Sequence, residues 1–253
     1  MKSKLTGAPP AEREAEHWRR LEDIARRQSM GIKDVIRFFP AYARRRDLTR
    51  LLAHYELFKQ VVDLPGAIVE LGVYLGSTFF TWANLMETFC PADRSRKVFG
   101  FDHFAGLTGF VEKDGKLDPG RDKFENCYKI DGATIADLCD LHNDDNLLPG
   151  VERCRIIDGD LRETVPQFIK DNPGFRISLL HLDVDLYGPT KVALELLYPL
   201  VVQGGVIVFD EYALPPREGE TKAAEEFFGT LMERPVLRKF AFSSQPSGYL
   251  VKQ

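Results

Sequence analysis

The sequence predicts an α/β fold built on a mostly parallel sheet, and three observations carry that prediction. From Ala67 onward, five short apolar runs (Ala67–Leu71, Lys97–Phe101, Arg153–Ile157, Ile177–Asp183 and Gly205–Phe209) alternate with stretches of helical spacing. Such alternation implies parallel strands covered by helices on both faces. Each of the five strands runs into acid at its carboxyl end, the edge at which open parallel sheets bind ligands. The end of the chain then changes character. Val236–Phe242 and Tyr249–Val251 flank Ser243-Ser244-Gln245-Pro246-Ser247-Gly248 and read as an antiparallel hairpin closing a seven-stranded sheet.

Composition narrows the function. A chain of 253 residues can bury a full core. Its hydrophobic fraction of 44% is ordinary, and no apolar run approaches the roughly 20 residues of a membrane helix, so a soluble protein with no membrane partner is expected. A net charge of −4 argues against nucleic acid as the main partner. Cys90, Cys127, Cys139 and Cys154 form no C-x-x-C pair and no zinc-like spacing, which points to free thiols in a reducing cytoplasm. Met1–Pro10 lacks the apolar segment of a signal peptide and reads as disordered.

Residues 11–64 read as helical and precede a sheet domain over 65–253. Helical spacing runs over Ala11–Gln28, Ile32–Phe39 (ended by Pro40) and Asp47–Val62. These helices either cap the open end of the first strand or form an oligomer interface. Residues 11–50 hold eleven Lys/Arg against seven Asp/Glu, and Arg44-Arg45-Arg46 is expected to be a solvated face. Downstream helices fall near Thr78–Phe89, Ala133–His142, Thr164–Lys170, Thr190–Leu200 and Thr221–Glu233. The stretch His103–Asp131, rich in Gly, Asp and Lys, is long for a loop and reads as a functional lid or as disorder.

The first strand leads into a ligand cradle. In Ala67-Ile68-Val69-Glu70-Leu71-Gly72-Val73-Tyr74-Leu75-Gly76-Ser77-Thr78, Gly72 lets backbone approach a ligand closely. The N–H groups at the next helix's start, with the Ser77 and Thr78 hydroxyls, can receive a carboxylate. Glu70 can accept hydrogen bonds from a cationic or hydroxylated group, and Tyr74 adjoins the same turn. Glu-x-Gly-x-x-x-Gly is not the dinucleotide fingerprint, so a small zwitterion such as S-adenosylmethionine fits better than a pyrophosphate. Asp102, at the end of strand two, is placed to hold ribose hydroxyls. Asp160 and Leu161, after strand three, can border an adenine. Acids at strand ends also cap helices, so each alone has that plainer explanation.

Strands four and five deliver Asp183-Val184-Asp185 and Asp210-Glu211. Asp183, Asp210 and Glu211 should converge, and crowded carboxylates repel unless a cation sits among them. A hard divalent ion suits oxygen ligands, with Mg²⁺ the default. That chemistry serves deprotonation of an alcohol and in-line methyl transfer, with Asp183 central. His181 shares a strand face with Asp183 and is either a general base or a satisfied core residue. His103 is a comparable outside candidate. Tyr187 and Tyr212, like Tyr74, adjoin the acidic turns as candidate pocket walls.

A parallel core ending in a hairpin is the order of a Rossmann-like class I methyltransferase domain. The sequence resembles the macrocin O-methyltransferase family, which methylates sugar hydroxyls on macrolides and related natural products. The resemblance rests on Ile68-Val69-Glu70-Leu71-Gly72-Val73-Tyr74-Leu75-Gly76-Ser77 and Phe101-Asp102-His103-Phe104-Ala105-Gly106-Leu107. It rests also on Leu182-Asp183-Val184-Asp185-Leu186-Tyr187-Gly188-Pro189-Thr190, Gly204-Gly205-Val206-Ile207-Val208-Phe209-Asp210-Glu211-Tyr212 and Gly219-Glu220-Thr221-Lys222-Ala223. It covers about residues 48–251. What it implies is S-adenosylmethionine as donor, Mg²⁺ held by Asp183, Asp210 and Glu211, and a deoxysugar acceptor. Asp210-Glu211 departs from the Asp-Asp of better-known members, leaving direct ligation, ligation through water, or a metal-poor site. The expected function is O-methylation of a sugar hydroxyl, on a glycosylated natural product or nucleotide-linked sugar of antibiotic biosynthesis, by a cytoplasmic homo-oligomer. A catechol-type O-methyltransferase and a non-catalytic oligomeric protein keeping the fold are the other two readings.

Overall fold

A computed structural model describes residues Pro10–Gln253, which divide into two units between Leu48 and Thr49. The first unit holds α1 (Pro10–Arg27), α2 (Ile32–Arg37) and α3 (Phe39–Tyr42). The disorder expected over residues 1–10 lies outside the described residues except at Pro10, which opens α1. Pro40 does not simply end a helix. It lies in the first turn of α3, where proline's fixed φ and missing N–H are tolerated. Along α1, Arg19 pairs with Glu16 at 2.7 Å and Asp23 at 3.4 Å, one turn to either side. Arg44 reaches Glu14 and lies 5.7 Å from the Trp18 ring centre, so the basic run is only partly a solvated face.

The second unit begins within α4 (Arg45–Val61). Leu57, Phe58 and Val61 of α4 are fully buried and pack with Ile68, Phe79 and Trp82. The helical segment expected over 11–64 is therefore divided, because α4 carries an apolar face that only the sheet can bury.

Six strands form one sheet: β1 (Ala67–Leu71), β2 (Val98–Asp102), β3 (Cys154–Asp158), β4 (Ile177–Leu182), β5 (Val201–Phe209) and β6 (Gly248–Val251). Their order is β3-β2-β1-β4-β5-β6, parallel throughout except for the antiparallel β5–β6 pair. The seventh strand expected over Val236–Phe242 reduces to one bridge between Arg238 and Tyr249. Val236 is 72% exposed and Phe242 49%, so that run has no continuous apolar face to lay on the sheet.

Side-chain alternation sorts the strands between two cores. Ala67, Val69 and Leu71 face the cluster made with α7 (Leu161–Asp171), α8 (Tyr187–Leu197) and α9 (Glu218–Phe228). Ile68 faces the opposite cluster, made with α4, α5 (Ser77–Phe89) and α6 (Gly132–Asp144). Strand order reverses between β1 and β4, which opens a crevice at their carboxyl ends. No helix among the described residues is long and apolar enough to cross a membrane.

The loop His103–Asp131 is an ordered strap with two short 3₁₀ turns, Glu112–Asp114 and Pro119–Arg121. Two buried charges pin it. Asp114 accepts hydrogen bonds from the Val111 N–H at 2.8 Å and the Tyr187 N–H at 2.6 Å. Lys123 donates to the carbonyls of Asp114 and Pro216 and to Glu218 at 3.0 Å. Gly219 permits the approach, since a Cβ there would lie 2.1 Å from Asp114 Oδ1. Replacing Asp114 with Ala strands two N–H donors and should destabilise the strap by about 1–3 kcal/mol. Hydrogen exchange should accelerate across His103–Asp131 while the sheet keeps its protection; equal rates in both proteins would contradict this anchoring.

Candidate active site at the carboxyl edge of the sheet

A cavity of about 760 Å³ opens at the carboxyl ends of the central strands. Its floor follows from the turn after β1. Gly72 has φ +83°, its N–H bonds to the Phe101 carbonyl at 2.9 Å, and a Cβ there would fall 1.8 Å from the Asp183 carbonyl oxygen. Only glycine can hold this place between β2 and β4. Gly76, in the left-handed region, then starts α5 without a side-chain cap. The amides of that first turn are left for an anion. Ser77 and Thr78 line the cavity beside them, as does Tyr74, which is 42% exposed.

Asp102 shapes this loop. Its Oδ2 accepts the N–H groups of Val73 at 2.7 Å and Tyr74 at 2.9 Å, and its Oδ1 accepts that of Phe104 at 2.8 Å. The carboxylate expected to hold ribose thus first anchors the cradle, with lone pairs remaining toward the cavity it lines. Asp160 caps α7 through the Arg162 N–H at 2.8 Å and pairs with the Arg162 side chain. Leu161 is buried beside it, and both reach the cavity wall. His103 also lines the cavity, its Nδ1 accepting the Ala105 N–H at 3.1 Å.

Glu70 and His181 occupy directly facing positions on β1 and β4. They point into the core, 1% and 0% exposed. Glu70 Oε2 accepts from Trp82 Nε1 at 2.8 Å and lies 3.1 Å from His181 Nδ1. His181 Nε2 lies 3.7 Å from Asp210 Oδ1, an ion-pair separation too long for a hydrogen bond. Burial works against the imidazolium, but Asp210 and Glu70 outweigh it and hold His181 up to about 10. Its ring is fully buried and is not among the residues lining the cavity, so it does not reach a substrate there. The general-base role expected of His181 is therefore corrected to positioning: it steadies Asp210. Glu70 likewise spends Oε2 inside the core, although the residue borders the cavity.

Asp183, Asp210 and Glu211 converge, each offering a ligand atom within 4.8 Å of the others. A cation already stands among them. Arg50 Nη2 lies 3.0 Å from Asp183 Oδ2 and 3.1 Å from Asp210 Oδ1. Burial opposes ionisation of Asp210, yet Arg50 and His181 bring it down to about 2. Asp183 is pushed above the usual carboxylate range by burial and by Asp210, against the pull of Arg50. Burial and the charges of Asp185, Asp210 and Asp183 raise Glu211 further, and its Oε2 has no hydrogen-bond partner. Gln245 donates to Asp210 Oδ2 at 2.8 Å and Glu211 Oε1 at 3.0 Å, closing the cluster from the β6 side. This excess of oxygen ligands over positive charge fits a hard divalent cation.

Sequence reasoning missed Arg50, Arg217, Tyr128 and Gln245. Arg217 pairs with Asp185 and donates to Tyr128 Oη at 2.9 Å; all three line the cavity. Tyr128 packs edge-on against Tyr74 at 5.2 Å. Of the tyrosines expected as walls, Tyr187 and Tyr212 turn away, their hydroxyls donating to Glu226 at 2.7 Å and to Glu225. One sequence signal for Arg50 existed: it lies one helical turn before His54, whose ring is 5.6 Å from that of His181.

Comparison with known proteins identifies the family. Residues 25–229 match the family described as macrocin-O-methyltransferase (TylF). A tetracenomycin rhamnosyl 4'-O-methyltransferase from Streptomyces olivaceus is 30% identical over 156 residues, 60% of this chain and 54% of the relative. Mycinamicin III 3''-O-methyltransferase from Micromonospora griseorubida is 26% identical over 153 residues, 60% of this chain and 57% of the relative. The chain thus matches little more than half the length of these relatives. The crystal structure of CalS11, a calicheamicin methyltransferase, superposes with a TM-score of 0.85 at 30% identity, covering 97% of this chain and 94% of that one. The NovP O-methyltransferase, at 22% identity and a TM-score of 0.62 over 81% of this chain and 79% of that one, shares the fold. With the family matched across most of its length, this chain belongs to the macrocin O-methyltransferase family.

Proposed function

We propose that this protein transfers the methyl group of S-adenosylmethionine to a sugar hydroxyl, on a glycosylated natural product or a nucleotide-linked sugar of antibiotic biosynthesis. The observation carrying this reading is the meeting of Asp183, Asp210 and Glu211 beside the Gly72 turn in one cavity. The names of the relatives, which act on rhamnosyl and mycinamicin substrates, support a sugar acceptor. A cytoplasmic homo-oligomer is the form we assign to it.

When bound, S-adenosylmethionine supplies an electrophilic sulfonium methyl and Mg²⁺ supplies Lewis acidity toward a hydroxyl. The amides opening α5, with Ser77 and Thr78, would bind the donor's carboxylate, with Tyr74 beside them. Asp102 would hold its ribose hydroxyls, and Asp160 and Leu161 would border its adenine. Asp183, Asp210 and Glu211 would hold Mg²⁺. Asp183 is 26% exposed at its side chain, so it meets the acceptor and takes the hydroxyl proton. His181 and Gln245 fix Asp210 from two sides. Alignment of oxygen, methyl and sulfur supplies much of the acceleration, and the strap excludes water from that line. The polar wall made by Asp185 and Arg217 favours a hydroxyl-rich acceptor over a flat phenol.

Calorimetry should detect S-adenosylmethionine binding to the wild-type chain and to Asp183→Ala alike. Mass spectrometry should show methylated glycoside with the wild type and about 100-fold less with the variant. Absence of donor binding at millimolar ligand would remove the reading. Chelation with EDTA should abolish turnover and added Mg²⁺ restore it; full activity in EDTA would exclude the metal and leave Asp183 a plain general base.

A further inference from the structure

Arg50 stands where the acids would hold a divalent ion. One nitrogen, Nη2, serves both Asp183 and Asp210, at 3.0 and 3.1 Å. This is not the two-pronged pairing that makes an arginine hard to displace. Arg50 Nε is buried without a hydrogen-bond partner, so the guanidinium is incompletely satisfied in this position. The side chain is 29% exposed and lines the cavity, which gives it a path outward. Beside it, Glu211 Oε2 is buried without a hydrogen-bond partner in a residue 3% exposed, and Asp210 Oδ1, although 3.1 Å from Arg50 Nη2, makes no well-aligned hydrogen bond. Arg50 and His181 lie against Asp183 and Asp210, but among the described residues no ion pair reaches Glu211.

We propose that Arg50 and the divalent cation are alternative occupants of one position, so that Arg50 holds the acids together until the ion arrives and sets the affinity with which it binds. This rests on reading Asp183, Asp210 and Glu211 as the cation site. Two like charges cannot share a space about 3 Å from the same oxygens, so ion entry requires the guanidinium to swing toward the cavity. The cluster alone would draw a divalent ion more strongly than the cluster with its arginine in place. Arg50 would then be a positioning residue as well: its withdrawal frees Asp183 Oδ2 for the acceptor at the moment the ion is seated.

Calorimetric titration of Mn²⁺ into the full chain, without donor or acceptor, tests this. Arg50→Met should bind Mn²⁺ about tenfold more tightly than the wild type, with Arg50→Lys between them. Asp210→Asn should lose the binding. Thermal unfolding gives a second readout: without metal Arg50→Met should melt below the wild type, and saturating Mn²⁺ should raise its Tm by more than it raises that of the wild type. If Mn²⁺ binds wild type and Arg50→Met equally and Asp210→Asn abolishes binding, the cation site stands and the exchange is overturned. If no protein binds Mn²⁺, the cation site falls and the exchange with it. A metal-free Arg50→Met that melts below the wild type but gains no more from Mn²⁺ would make Arg50 a structural ion pair only.

Discussion

Carboxylates gathered at the tips of parallel strands repel one another, and the architecture around β1, β4 and β5 follows from how that repulsion is met. Asp183 and Asp210 close onto the guanidinium of Arg50. Behind them His181 stands between Asp210 and Glu70, with Trp82 completing the shell around Glu70. Gln245 bridges Asp210 and Glu211 from the far side. Each neutralising group comes from a different element: α4, β4, α5 and the turn before β6. Removing a partner from such a buried network leaves an uncompensated charge, which typically costs several kcal/mol. The helix α4 is therefore as much a part of the site as the strands are.

The glycine turn is the second constraint. Gly72 lets β1 end against the Asp183 backbone, closer than any Cβ permits, and so sets the turn into α5 and the acidic cluster side by side. Asp102 holds the loop that follows through three backbone N–H groups. The loop is thereby stiffened before any ligand enters, which lowers the ordering cost of binding. The strap over the crevice is fixed by the buried charges of Asp114 and Lys123 as well as by Phe104 and Ile130 packed into the core.

Much of this was legible in the sequence because local rules and global fold agree. The short apolar run buried along the whole of β1 and the helical pattern of α5 follow from residue type alone, and the acids at strand ends followed from sheet topology. The expected seventh strand reduces to a bridge because in Val236–Phe242 only Leu237 and Phe240 pack on the core, while Val236 and Phe242 stay exposed. Pro40 was read as a stop when it serves equally as a start. Arg50 was hidden because charge in an arginine-rich helix reads as solvation, and only the fold carries residue 50 to residues 183 and 210. His181 beside Asp183 invited a catalytic reading that its facing position to Glu70 on β1 removes. Long-range ion pairs leave no periodic trace, and they were the part of the site that sequence could not supply.

Anomalous diffraction from a crystal grown with Mn²⁺ and S-adenosylhomocysteine is the most direct measurement of whether the acidic tips and the glycine cradle form one reacting centre. The expected result is a manganese peak in contact with Asp183 and Asp210, the Arg50 guanidinium moved off both, and the ligand's amino-acid end lying along Gly72–Thr78. A peak elsewhere on the surface, or a ligand bound outside the crevice between β1 and β4, would contradict it.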